Sequence, residues 1–230
     1  MRRALLTLFL AALAGCATAP PPMLSATMTS PTDITLAWKE TERDLAARTV
    51  EFATEPNGAY TVLQFAPPGQ TTFTHPDLMP RTPFYYRLRA IHGPASAPLE
   101  VSLPPGDFDE KSEKDGHEWA APQTLPGGPT APRPVRETSA APTDVRATVM
   151  HANGIRFTWT DNAADEEGYL IEVRAAGAKE FRAAAVLDPN VNSFGLITLP
   201  EEKNASYRVR AFYYGEQSNV VHLTTGDAQH

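Results

Sequence analysis

One cysteine and six histidines stand among 230 residues, so thiol, imidazole and metal chemistry have few places to occur. The histidines are His75, His92, His117, His151, His222 and His230, and none shares a ligand spacing of the His-Glu-x-x-His kind. Each reads as a surface or turn residue. Cys16 is the only thiol, which excludes an intrachain disulfide framework and a cysteine-based zinc ribbon, since both need several sulfurs. Asp161, Asp165, Glu166 and Glu167 make an acidic loop without the alternating ligands, glycine and late bidentate Glu of a calcium loop. A solvated turn is expected there, with Asp161 and Asn162 bonded to nearby backbone. There is no Gly-x-Ser-x-Gly elbow and no phosphate-cradling glycine loop, so no catalytic residue, metal or cofactor is expected and the chain reads as a non-enzyme. A formal charge of −7 without a long Lys/Arg block speaks against a nucleic-acid partner, whose affinity would come from clustered cations.

The position of Cys16 carries more than its number. Arg2 and Arg3 precede an apolar run from Ala4 to Ala14 that only Thr7 relieves. That is the charged and apolar pattern of a secretory signal. The run falls well short of the ~20 residues that cross a bilayer as a helix. Leu13-Ala14-Gly15-Cys16 resembles the lipobox of bacterial lipoproteins. The resemblance implies cleavage of a 1–15 leader, lipid on the Cys16 sulfur and new amino group, and a lipidated 16–21 tether. It makes the membrane a partner through that anchor. Ala17 lacks the aspartate that resembles an inner-membrane retention signal, which implies an outer-membrane address facing the periplasm or the cell surface.

The elements that follow repeat. At an offset of 121, Ile34 matches Ile155, Trp38 matches Trp159, Glu51 matches Glu172, and Tyr86-Arg87 match Tyr207-Arg208. Arg89-Ala90 likewise match Arg210-Ala211. Two copies of one domain, 22–104 and 142–226, are the economical explanation. Each reads as β, because apolar residues alternate at period two: Ile34, Leu36 and Trp38 in one copy, Ile155, Phe157 and Trp159 in the other. Short alternating strands between turn residues predict an antiparallel sandwich per copy, with Trp38, Trp159, Tyr86 and Tyr207 in the cores.

The stretches Ile155-Arg156-Phe157-Thr158-Trp159, Glu167-Gly168-Tyr169-Leu170-Ile171-Glu172 and Pro83-Phe84-Tyr85-Tyr86-Arg87-Leu88 resemble strands of the fibronectin type III family. The resemblance implies an all-β chain of two immunoglobulin-like sandwiches and is nearly silent on activity. The family's corner tyrosine falls at Phe84 and Ala205, so its hydroxyl-to-backbone bond is expected to be missing from both copies.

Between the copies, 105–141 holds six prolines and no alternation, and Asp107 to Glu118 holds six acids against two lysines. Such a segment reads as a disordered tether of roughly 35 Å, so the first copy is expected near the membrane and the second free to range from it. Trp119 lies in this segment, where it serves either as a docking motif for a partner or as an anchor folding back on its own domain. Tyr213 and Tyr214 are expected at the start of the last hairpin loop of the second copy, where tyrosines supply contact area for recognition. The functional expectation is a lipid-anchored envelope protein that adheres to or holds an envelope or extracellular protein. The alternatives are a structural spacer or assembly subunit, and a glycan-binding accessory of polysaccharide-degrading machinery.

Overall fold

The computed structural model describes residues 22–42, 44–106, 117–128 and 131–227. Cys16, with the whole leader and tether, lies outside the described residues, as do 107–116.

Each copy contributes seven strands. In the first these are β1 (Leu24–Ser30), β2 (Asp33–Trp38), β3 (Ala47–Ala53), β4 (Thr61–Ala66), β5 (Thr72–His75), β6 (Pro83–His92) and β7 (Leu99–Ser102). In the second they are β8 (Thr143–His151), β9 (Gly154–Thr160), β10 (Gly168–Ala175), β11 (Arg182–Leu187), β12 (Ser193–Ile197), β13 (Asn204–Gln217) and β14 (Val221–Thr224). The period-two pattern has its cause in the pleat. Ile34, Leu36 and Trp38 are buried while Thr35 and Ala37 between them are half-buried, and Ile155, Phe157 and Trp159 repeat this. A three-stranded sheet β1-β2-β5 backs one copy and β12-β9-β8 the other. Opposite them, β4-β3-β6 and β11-β10-β13 belong to one continuous sheet that runs through both copies.

The seventh strands are exchanged. From the repeat alone, β7 closes the first sandwich beside β6, and β14 closes the second beside β13. Instead β7 pairs with β13 and β14 pairs with β6. The sixth and seventh strands of each copy thus open from a hairpin into one long arm. The two arms, 83–102 and 204–224, run antiparallel along their whole length. Pro83 faces Thr224, Tyr86 faces Val221, His92 faces Tyr213, Ala95 faces Arg210, and Ser102 faces Asn204. The cores record the exchange. Val101 and Leu103 are buried among Ile155, Phe157, Tyr169 and Tyr207 of the second copy, and Leu223 packs on Ile34, Leu36 and Tyr86 of the first.

Residues 117–128 and 131–141 are not a disordered tether but lie as a strap on the second copy. The Gln123 N–H donates to the Ser193 carbonyl at 2.9 Å, and Leu125 exchanges two bonds with the Asn192 side chain. The Val135 N–H donates to the Asp165 carboxylate at 2.6 Å, and Val135 and Ala140 enter the core. Composition misled because prolines have no N–H to satisfy and a φ already set, so ordering them costs little once the other amides find partners. The expectation of a second copy ranging away from the first fails for the same two reasons, the exchange and the strap.

Candidate functional site at the crossing of the two copies

The arms cross where Ile91 and His92 meet Tyr213 and Tyr214. Gly93, at φ +136°, makes this approach feasible, because a Cβ there would lie 2.1 Å from the Ala211 carbonyl oxygen. On either side of the crossing a serine bridges the interrupted ladder. Ser218 donates its N–H to the Leu88 carbonyl and accepts the Leu88 N–H on Oγ, both at 2.9 Å. Ser96 does the same with Val209, at 2.8 and 3.1 Å. Leu88 and Val209 are themselves repeat mates, so the clasp is built twice.

Tyr213 and Tyr214 are therefore not loop residues offered to a partner; both stand within β13 against β6. The Tyr213 ring stacks on His92 with centroids 5.7 Å apart, and the Arg136 guanidinium from the strap covers it at 4.0 Å. Tyr214 carries the Arg89 guanidinium at 3.7 Å and belongs to a small apolar cluster formed by Ala46, Ala47 and Ile91 of one copy with Leu170 and Phe212 of the other. The hairpin-loop expectation failed because it assumed that each copy closes on its own seventh strand.

Charged residues cluster around the crossing. Arg48, 1% exposed, donates to both oxygens of Glu40 at 2.7 Å and to Glu42 at 3.1 Å, and Glu42 also pairs with His92 at 2.8 Å. Burial pushes the Glu40 carboxyl upward, but the Arg48 bonds and the amides of Thr41 and Glu42 outweigh it and hold the group below the usual carboxylate range. Glu51 receives Arg87 at 2.6 Å, and its repeat mate Glu172 receives Arg208 together with Arg210. With Glu51 and Glu172 nearly fully buried, these pairs tolerate no loss of either partner.

The remaining candidates are internal as well. Trp38, Trp159, Tyr86 and Tyr207 are all buried. Tyr207 Oη donates to the Glu202 carbonyl at 2.8 Å. This is a corner bond, contrary to the expectation that both copies lack one. It starts at Tyr207, two residues after the position assigned to it, because the turn Pro200–Glu202 presents its carbonyl inward. In the first copy the matching Arg81 adopts φ +53°, and Tyr86 bonds instead to His75 Nδ1 at 3.1 Å. His75 is correspondingly not a surface residue. It sits edge-on to Phe52 and Phe84, and burial lowers its pKa.

Trp119 lies on the outer face of the second copy. A Cβ at Gly195 or Gly154 would come within 2.5 or 2.8 Å of its indole, and its ring meets His151 edge-on at 5.3 Å. The acidic loop is spent on structure: Asp161 accepts from the Ala163 N–H and from the Tyr169 hydroxyl, and Glu166 accepts from the Asn190 N–H at 2.9 Å. Among the described residues no three His, Cys, Asp or Glu side chains gather as a metal site, and no helix is long and apolar enough to cross a membrane. An open cleft of about 310 Å³ is lined by Glu100 from exchanged β7 and by Arg174 and Ser206, which bond to one another.

No protein-family model matches the chain, and no curated protein matches it in sequence. Among solved structures it is similar to a segment of two fibronectin type III domains from chicken tenascin. Identity is 13% over 90% of this chain and 100% of that one, with a TM-score of 0.28. It is also similar to the FN1–FN3 domains of chicken CNTN1, at 18% identity over 90% of this chain and 69% of that one, with a TM-score of 0.29. The sheet order described above, three strands facing four in each half, makes the fold all-β and fibronectin type III-like.

Proposed function

We propose that the chain is a lipid-anchored, non-catalytic binding protein of a bacterial envelope, which holds a protein partner close to the membrane with its two sandwiches acting as one body. The observation that carries this reading is the fused sheet. His92, Arg89, Arg136, Tyr213 and Tyr214 are used to join the two folds, and among the described residues no three His, Cys, Asp or Glu side chains gather as a metal site. The Leu13–Cys16 resemblance supports the anchor. Leu24, where the first strand begins, bonds through its N–H and carbonyl to the Asn219 side chain at 2.8 and 3.0 Å, so a tether ending there would join the body where the two copies are linked. A six-residue tether reaches only about 20 Å, so both sandwiches stay at the bilayer. The continuity of one sheet through both copies favours a second reading, an assembly subunit with one stoichiometric partner.

Pull-down from detergent-solubilised membranes, in parallel with a glycan array, tests both readings. A retained protein at defined stoichiometry supports the assembly reading, and several substoichiometric proteins support adhesion. Glycan binding without any protein would replace both with the polysaccharide-accessory role. Separately, a Cys16→Ala chain that is still processed and still membrane-bound would refute the covalent anchor.

A further inference from the structure

Three neighbouring strands place a carboxylate, a hydroxyl and a guanidinium in one row. Ser206 of β13 stands directly opposite Glu100 of exchanged β7 on one side and Arg174 of β10 on the other, so all three side chains leave the same face of the sheet. The buried Ser206 hydroxyl donates to the Glu100 carboxylate and accepts from Arg174 Nη2 at 3.3 Å, while the Phe181 ring lies against the Arg174 guanidinium at 4.7 Å. Among the described residues neither Glu100 nor Arg174 finds an oppositely charged partner; the hydroxyl stands between them instead of an ion pair. The row opens into the cleft of about 310 Å³, whose remaining lining is Asn204, Ala205 and the small residues 175–178 at the end of β10.

The same row is closed in the first copy. There Ala53 of β3, Tyr85 of β6 and His222 of exchanged β14 take these positions, and the Tyr85 ring stacks on His222 with centroids 4.5 Å apart. One frame is thus filled by an aromatic pair in one copy and left hollow in the other, with unpaired charge of both signs on its walls. Glu100 reaches the row only because β7 is exchanged. The chemistry of the walls narrows what could fill it. A metal ion would meet a single carboxylate beside a fixed cation, a phosphate would be repelled by Glu100, and a sugar would find no aromatic face among the lining residues. A molecule that carries a carboxylate and an ammonium close together satisfies both charges at once.

We propose that this cleft binds the zwitterion of a free α-amino acid. Its carboxylate takes paired N–H donors from Arg174, whose plane the Phe181 ring orients, and its ammonium donates to the Glu100 carboxylate. Ser206 keeps the two charged heads apart, and the ligand's side chain lies beside residues 175–178.

The test titrates L-alanine into the full chain in a Cys16→Ser background and follows backbone amide signals by NMR. Saturable shifts at 174–178, 204–206 and Glu100 are expected, with a Kd of about 1 mM because the charge-assisted contacts are partly exposed to water. N-acetylalanine lacks the ammonium and alaninamide lacks the carboxylate, so each should bind about tenfold more weakly. Glu100→Gln should weaken alanine about tenfold and leave N-acetylalanine unchanged, whereas Arg174→Gln should weaken alanine and leave alaninamide unchanged. A bridge that only supports the sheet would not produce this crossed pattern. The proposal is overturned if alanine gives no saturable shift at these residues by about 50 mM, if the three compounds bind alike, or if either variant affects every compound equally.

Discussion

Val101→Ala is the substitution that most directly separates exchanged from self-closing sandwiches. Val101 belongs by sequence to the first copy but is buried in the core of the second, at 7% exposure, opposite Ala205. The change removes two methyl groups, about 1.6 kcal/mol at ~0.8 kcal/mol each, and the cavity left behind brings the total to about 2 kcal/mol. That corresponds to a roughly 30-fold increase in opening of the surrounding structure. Hydrogen–deuterium exchange read by peptide should therefore show faster exchange in β10 and β13. β2 and β3, whose core receives Leu223 instead, should be unchanged under conditions where the whole chain stays folded. Leu223→Ala should give the reciprocal pattern. If Val101→Ala loosened β3 and β6 while β10 and β13 kept their protection, the seventh strands would be closing on their own copies and the reasoning above would be wrong.

Three further outcomes are expected. Tyr207→Phe should cost about 1–2 kcal/mol in denaturant unfolding, because it leaves the buried Glu202 carbonyl without its donor, and Tyr86→Phe should cost less. Gly195→Ala places a methyl where the Trp119 ring stands and should expel the indole from its seat, seen as a red-shifted tryptophan emission and new proteolysis within 117–128. Stability should fall with acid in two windows. The folded pKa of His75 is depressed, so its contribution is intact above the unfolded value of about 6.5 and is lost as pH falls through the folded value. Glu40 behaves alike at lower pH, below about 4.5. Unfolding midpoints measured between pH 7 and 3 check this, and His75→Gln should flatten only the upper window.

Much of this was readable from residue order. The alternation of Ile34, Leu36 and Trp38 specifies strand and buried face, because a pleated strand admits no other register for three apolar side chains. The pairs Glu51/Arg87 and Glu172/Arg208 were visible as matched positions, but their partnership was not. They lie 36 residues apart, and only the alignment of β3 with β6 and of β10 with β13 brings them together. Trp119 had no pattern around it, and its seat is made by what is missing at Gly154 and Gly195, which strand periodicity does not mark. The corner bond at Tyr207 depended on a turn, Pro200–Glu202, whose conformation differs from that of its repeat mate around Arg81.

By itself, then, the order of residues determined that this chain is β throughout, that it holds two like sandwiches, and which side chains fill them. The tertiary structure alone decided which seventh strand fills which sandwich. The physical reason is the repeat. Two copies related by a constant offset present nearly equivalent grooves, so local pattern stabilises β7 or β14 in either. The choice falls to what lies outside the pattern: the glycine at the crossing, the serine clasps beside it and the length of chain joining the copies.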